Sequence, residues 1–208
     1  MKIVIIRHGK TDKNTENRLS GNSHAAKLTD LGREHAGKLI EIFKERNFDA
    51  FISSPLHRAI ETAEPLSKVL SLEIEKNDLI REFDFGLDDG EIIEGEVLER
   101  LEKRRTDLDF QFPEGESMND VINRAKEFIK NLLLKDYENV LIIAHHRINT
   151  ALLGVLLEID FNNPENVTGI GQKNPVIYEV DSVKKSCKWE HSITGEVGEG
   201  LIYDSNIV

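Results

Sequence analysis

Three short clusters carry the residues best suited to chemistry at neutral pH: Arg7-His8-Gly9, His57-Arg58 and His145-His146-Arg147. An imidazole can serve as general acid or base, as metal ligand or as nucleophile. A guanidinium stays charged and matches phosphate oxygens in bidentate geometry. Two histidines without nearby carboxylates or cysteines make a poor metal site. Two histidines among arginines suit a phosphoryl group, whose transfer depends mainly on charge stabilisation and alignment. The same arginines disfavour imidazolium, which leaves a ring nitrogen free to attack.

The clusters matter only if the fold gathers them. Ile3-Val4-Ile5-Ile6 is an apolar, β-branched run that predicts a strand buried on both faces, and it ends at Arg7. Residues 49–53 predict a second strand, followed by Ser54-Pro55 and a helix over 56–70, with Pro65 expected to kink or shorten it. Residues 140–144 predict a third strand, ending at His145, with a helix over 148–157. Thr29 is a plausible N-cap for a helix over 29–46, with Leu31, Leu39, Ile40 and Phe43 as its apolar stripe. A long amphipathic helix is expected over 117–134, and late strands over 176–180 and 186–189. Strands alternating with helices predict a three-layer α/β/α domain with a largely parallel central sheet. In such sheets ligands bind beyond the carboxyl ends of the strands, so parallel neighbours would bring His8, Arg7, Arg58 and His145 to one crevice.

Between residues 81 and 116 the alternation breaks down into an acidic, glycine-containing stretch. It reads as a small inserted lid within a single domain over 1–208, with a short helix near 96–105 whose charges form a solvated face. His24, His35 and His57 are expected at the surface. The tail after residue 191 has no readable pattern.

Composition narrows the partners. The formal charge of −11 disfavours nucleic acid, because an acidic chain repels the phosphate backbone. The lone Cys187 permits no internal disulfide and fits a cytoplasmic setting. The apolar runs are far shorter than the roughly 18 residues of a membrane span, so no membrane partner is expected. Oligomeric state is not legible.

The motifs fall in an order that resembles the histidine phosphatase superfamily, also called phosphoglycerate mutase-like. Arg7-His8-Gly9-Lys10-Thr11 resembles its RHG-E/S-T/S opening, and Leu28-Thr29-Asp30-Leu31-Gly32 its LTxxG segment. Residues 53–63, SSPLHRAIETA, are similar to SSPLxRAxQTA. Residues 81–86 resemble LxExxFG, 112–117 resemble FPxGES, and Ile143-Ala144-His145 resembles the start of VSHGG. The resemblance implies that His8 is the nucleophile, forming a phosphohistidine, and that Arg7, Arg58 and His145 complete the phosphate pocket. It implies that Glu82 protonates the leaving oxygen and then activates water, that Asn14, Ser20 and Gly21 contact phosphate or substrate, and that no metal or cofactor is required.

Departures from the pattern bear on the substrate. Lys10 stands where Glu or Ser is common, and Asp88-Asp89-Gly90 replaces a frequent W-E-G. His146 and Arg147 follow the second histidine in place of glycine; they are assigned to substrate binding, with Arg147 able to reach a second anionic group. The expected function is a metal-independent phosphomonoesterase acting on a small phosphate ester. The alternatives are a phosphoglycerate mutase, a noncatalytic phosphate-ligand binder, and a zinc site built from His8, His145 and His146.

Overall fold

The computed structural model describes residues 1–171, 176–192 and 194–202. In chain order the elements are β1 (Lys2–Arg7), α1 (Asp12–Thr15), α2 (Asp30–Phe43), β2 (Ala50–Ser53), α3 (His57–Leu70), β3 (Ile74–Lys76), α4 (Gly95–Thr106), α5 (Met118–Leu133), β4 (Asn139–Ala144), α6 (His146–Leu156), α7 (Glu165–Thr168), β5 (Val176–Asp181), β6 (Ser186–His191) and β7 (Val197–Glu199). Two 3₁₀ turns, Asp78–Ile80 and Gly86–Asp88, flank Glu82.

The strands form one sheet in the order β3-β2-β4-β1-β5-β6-β7. The β3, β2, β4 and β1 strands run parallel, and β5, β6 and β7 extend the sheet antiparallel. Because β4 lies between β1 and β2, the three strand ends that carry the chemistry are adjacent.

Alternation along the strands divides the core. Ile3 and Ile5 of β1, with Val140 and Ile142 of β4, pack under α5 and α6. Val4, Ile6, Leu141 and Ile143 face the other way, against Leu39 and Phe43 of α2 and Ala63 and Leu66 of α3. Both faces of the central strands are therefore covered, which is why they read as continuous apolar runs rather than alternating ones. Each such buried side chain contributes roughly 1.5–3 kcal/mol.

Local signals explain the helix starts. The Thr29 hydroxyl accepts from the Gly32 amide at 3.1 Å. Ser117 and Asp120 form a reciprocal capping box at the start of α5. Pro65 does not end α3, which continues to Leu70 with Ala59, Ala63 and Leu66 buried; that packing outweighs the one backbone hydrogen bond a proline removes.

Three expectations, two of them about the surface, require correction. The buried face of α2 is Gly32, His35, Ala36, Leu39 and Phe43, so His35 lies inward while Leu31 is exposed. The helix after β4 starts at His146 rather than 148, which makes His145 its N-cap. The charged run of α4 is not wholly solvated, since Arg104 is fully buried beside Leu101. His24 and His57 are exposed, as expected. Part of the tail forms β7, and residues 203–208 lie outside the described residues. Among the described residues no helix is long and apolar enough to cross a membrane.

Candidate active site

The ends of β1 and β4 place His8 and His145 with ring centroids 5.0 Å apart. The His8 amide extends the ladder by donating to the Ala144 carbonyl at 3.0 Å. Nδ1 of His8 lies 2.7 Å from the Gly9 carbonyl oxygen. A carbonyl oxygen only accepts, so Nδ1 carries the ring proton and Nε2 keeps its lone pair. That lone pair points into the cluster, 3.3 Å from Nε of Arg58.

Arg58 sits in the first turn of α3, one residue past the N-terminus, and is 1% exposed. Its Nη1 donates to the Ser23 carbonyl at 3.0 Å and Nη2 to the Gly21 carbonyl at 2.6 Å. The loop over residues 20–23 thus aims the guanidinium through backbone oxygens. Thr62, one turn further along α3, donates to the Arg58 carbonyl at 2.6 Å and accepts from the Gly9 amide at 3.0 Å. The histidine loop and α3 are therefore locked together.

His145 is fully buried, with Nε2 2.7 Å from the Ser54 hydroxyl and Nδ1 lacking a partner. Glu82 reaches the same cluster from the segment after β3. Its Oε1 accepts from the Phe83 amide at 2.9 Å and the Arg147 amide at 3.0 Å, with the Ile148 amide at 3.4 Å. The last two belong to the first turn of α6, where free amides and the helix dipole favour a carboxylate.

The Glu82 segment is itself braced. Arg124 of α5 grips Glu116 in a two-pronged pair, Nε to Oε1 at 2.8 Å and Nη2 to Oε2 at 2.9 Å. Its Nη1 also donates to the Leu79 and Arg81 carbonyls, at 2.7 and 3.2 Å. Glu116 in turn accepts from the Asp84 amide at 3.0 Å. Residues 112–117 thus act on Glu82 at one remove.

Burial dominates the electrostatics. It holds the His8 imidazole well below the usual histidine range, with Arg58 and then Arg7 adding repulsion. His145 is shifted the same way, by burial first and then by Arg58 and His8. Burial pushes Arg58 down to about 10, a value at which it remains charged at neutral pH. A neutral imidazole beside fixed guanidinium charge is the state a nitrogen nucleophile needs.

The structure thus brings Arg7, His8, Arg58, Glu82 and His145 together. Arg147 and His146 adjoin them: the His146 ring donates to the Ile170 carbonyl, and its Nε2 lies 3.4 Å from Nη1 of Arg147. Asn14 instead caps α1, its Oδ1 accepting from the Thr11 amide at 3.1 Å. The Gly21 amide is taken by Asp89 at 2.7 Å, while the Ser20 hydroxyl is buried and unpartnered. Among the described residues no three His, Cys, Asp or Glu side chains are grouped to hold a metal ion. Sequence reasoning missed Arg124 and Arg104. For Arg124 the signal was a basic residue on the otherwise apolar face of α5; for Arg104 there was none.

The family model described as histidine phosphatase superfamily (branch 1) matches residues 3–191. Phosphoserine phosphatase 1 of Hydrogenobacter thermophilus is 29% identical over 165 residues, covering 74% of this chain and 77% of that protein. An uncharacterized phosphatase, PhoE, of Bacillus subtilis is 31% identical over 165 residues, covering 78% of this chain and 79% of its own length. Among solved structures, mycobacterial glucosyl-3-phosphoglycerate phosphatase with bound VO3 superposes with a TM-score of 0.79 at 24% identity, covering 98% of this chain and 99% of that one.

Proposed function

This chain belongs to the histidine phosphatase superfamily (branch 1) and is a phosphatase, and on that premise we propose that it hydrolyses a small phosphate monoester through a phosphohistidine on His8 without a metal. The observation that carries the reading is the His8 ring. Its proton is held on Nδ1 by the Gly9 carbonyl, and its Nε2 lone pair faces the buried Arg58.

Nε2 attacks phosphorus as the bond to the ester oxygen breaks, and that oxygen takes a proton from Glu82. Water then attacks the phosphohistidine, the phosphorus–nitrogen bond breaks, and Glu82 takes the proton from that water. Arg7, Arg58 and His145 stabilise the equatorial oxygens as charge develops. The segment 81–116 faces the leaving group and serves as the lid.

The test is hydrolysis of p-nitrophenyl phosphate in EDTA by the wild type and by His8→Ala. The expected result is EDTA-insensitive turnover that disappears in the variant, with an acid-labile phosphoryl adduct in the wild type alone. Turnover that survives in His8→Ala, or that EDTA abolishes, rejects the mechanism. Interconversion of phosphoglycerates in place of hydrolysis would assign the chain to the mutases.

A further inference from the structure

Four guanidinium groups lie in or beside this site, and only two of them have work in phosphoryl transfer. Arg58 is bound by carbonyls and His8, and together with Arg7 it meets the transferred phosphoryl group. Arg104 and Arg147 remain. Arg104 is 0% exposed, and its Nε, Nη1 and Nη2 all lack a hydrogen-bond partner. Arg147 is 6% exposed, and among the described residues the one hydrogen-bond partner of its guanidinium is the imidazole of His146, at 3.4 Å. Among the described residues neither forms an ion pair. The two repel one another, and Glu82 is the one carboxylate that acts favourably on both. A buried, unpaired guanidinium is strongly unfavourable, because desolvation is not offset by a counter-charge.

Arg104 is also deliberately placed. Helix α4 is tied down on one side by Arg100, whose guanidinium meets Asp88 in two hydrogen bonds of 2.6 and 2.9 Å. At its end the Arg105 carbonyl accepts from the Thr168 hydroxyl at 3.2 Å. Leu101 and Arg104 are the two buried residues of the helix, so the helix presents one apolar anchor and one charge to the interior.

Direction follows from Glu82. The group that gives its proton to the leaving oxygen must lie beside the leaving alcohol. Glu82 is held by the backbone amide of Arg147, so the alcohol lies toward Arg147 and, past it, Arg104. We propose that Arg104 and Arg147 form a subsite for a second acidic group on the alcohol portion of the ester, making acid-bearing phosphomonoesters the preferred substrates. The chemistry is shared by a carboxylate and by a second phosphate. The inference rests on the phosphatase reading above for its direction, but its binding test does not.

Three esters of similar size separate the possibilities: glycerol 3-phosphate, with a neutral alcohol; 3-phosphoglycerate, with a carboxylate; and 1,3-propanediol bisphosphate. In the wild type kcat/KM should favour at least one acidic ester over the neutral one by about 30- to 100-fold, the range of a charge-assisted pair. Arg104→Met should collapse that ratio toward one, and Arg104→Lys should retain part of it. Which acidic ester carries the ratio identifies carboxylate or phosphate. A ratio near one in the wild type, or a ratio unchanged in Arg104→Met, overturns the proposal. Thermal denaturation guards against a purely structural role. An unpaired buried charge predicts that ligand-free Arg104→Met melts at or above the wild-type temperature, and a lower melting temperature also counts against the subsite. If no ester is hydrolysed at all, the phosphatase reading fails separately. Calorimetric binding of 3-phosphoglycerate, 1,3-propanediol bisphosphate and glycerol 3-phosphate to wild type and Arg104→Met then decides: tighter binding of an acidic ester that the variant loses supports the subsite, and equal binding rejects it.

Discussion

Gly9 and Gly32 meet backbone to backbone, with no room for a side chain on either. A Cβ on Gly9 would fall 2.4 Å from the Gly32 carbonyl oxygen, and one on Gly32 would fall 2.2 Å from the carbonyl oxygen of Lys10. The contact presses the loop that carries His8 against the first turn of α2. It gives a physical reason for glycine in both RHG and LTxxG, two motifs separated in sequence.

Gly32→Ala should therefore cost about 1–3 kcal/mol of stability, the usual range for forcing atoms into a filled space. It should also lower kcat, since relief of the clash moves the His8 loop. Gly37→Ala, on the same helix, meets nothing within 4 Å and should stabilise by about 0.5–1 kcal/mol. Thermal melts and p-nitrophenyl phosphate kinetics of the two variants check both statements; equal behaviour would refute the packing account.

Arg124 is a positioning residue, acting on Glu82 through Glu116 and the Leu79 and Arg81 carbonyls. Arg124→Met should reduce kcat for an alkyl phosphate by about 10- to 100-fold, a typical loss when a general acid is misplaced. The loss should be smaller for p-nitrophenyl phosphate, whose phenolate leaves without a proton. A merely structural arginine would reduce both alike. Arg124→Lys should rescue poorly, because an ammonium cannot make the paired contact with Glu116.

Three buried histidines and the half-buried His146 set the acid stability. His8, His145 and His146 are held well below 6.5, and His35 below it, with burial the leading cause in each. Below 6.5 the unfolded chain binds protons that the folded chain does not, so stability falls as pH falls. Above 6.5 both states hold these rings neutral and the contribution is constant. The slope should approach about 1.4 kcal/mol per pH unit for each of His8, His145 and His146, with a smaller share from His35. Urea denaturation between pH 5 and 8 checks this, and a flat profile below 6.5 would contradict the burial assigned to these rings.

Arg58 contributes to the suppressed basicity of His8 after burial itself. Arg58→Met should raise the pH at which the His8 ring titrates, observable in the histidine Cε1–H proton resonance. Phosphate affinity should fall at the same time, by about 10- to 100-fold for loss of a charge-assisted contact. An unmoved titration would mean that burial and Arg7, without Arg58, set the His8 charge state.

What the sequence determined here is the set of local signals. β-branched runs covered on both faces, threonine and serine caps, and glycines at close approaches are written in adjacent residues, so strands, helix starts and the residues at the strand ends were legible. Strand polarity then sufficed to gather His8, Arg7, Arg58 and His145. Tertiary structure alone decided what depends on residues far apart in the chain. It placed β4 between β1 and β2, turned β5 to β7 antiparallel, and set the Glu82 carboxylate on the first amides of α6. It also turned His35 and Arg104 inward. Arg104 sits on a helix whose composition looks solvated, and His35 sits outside the apolar stripe read for α2; the burial of one polar side chain is fixed by what the whole helix packs against, which no local pattern records.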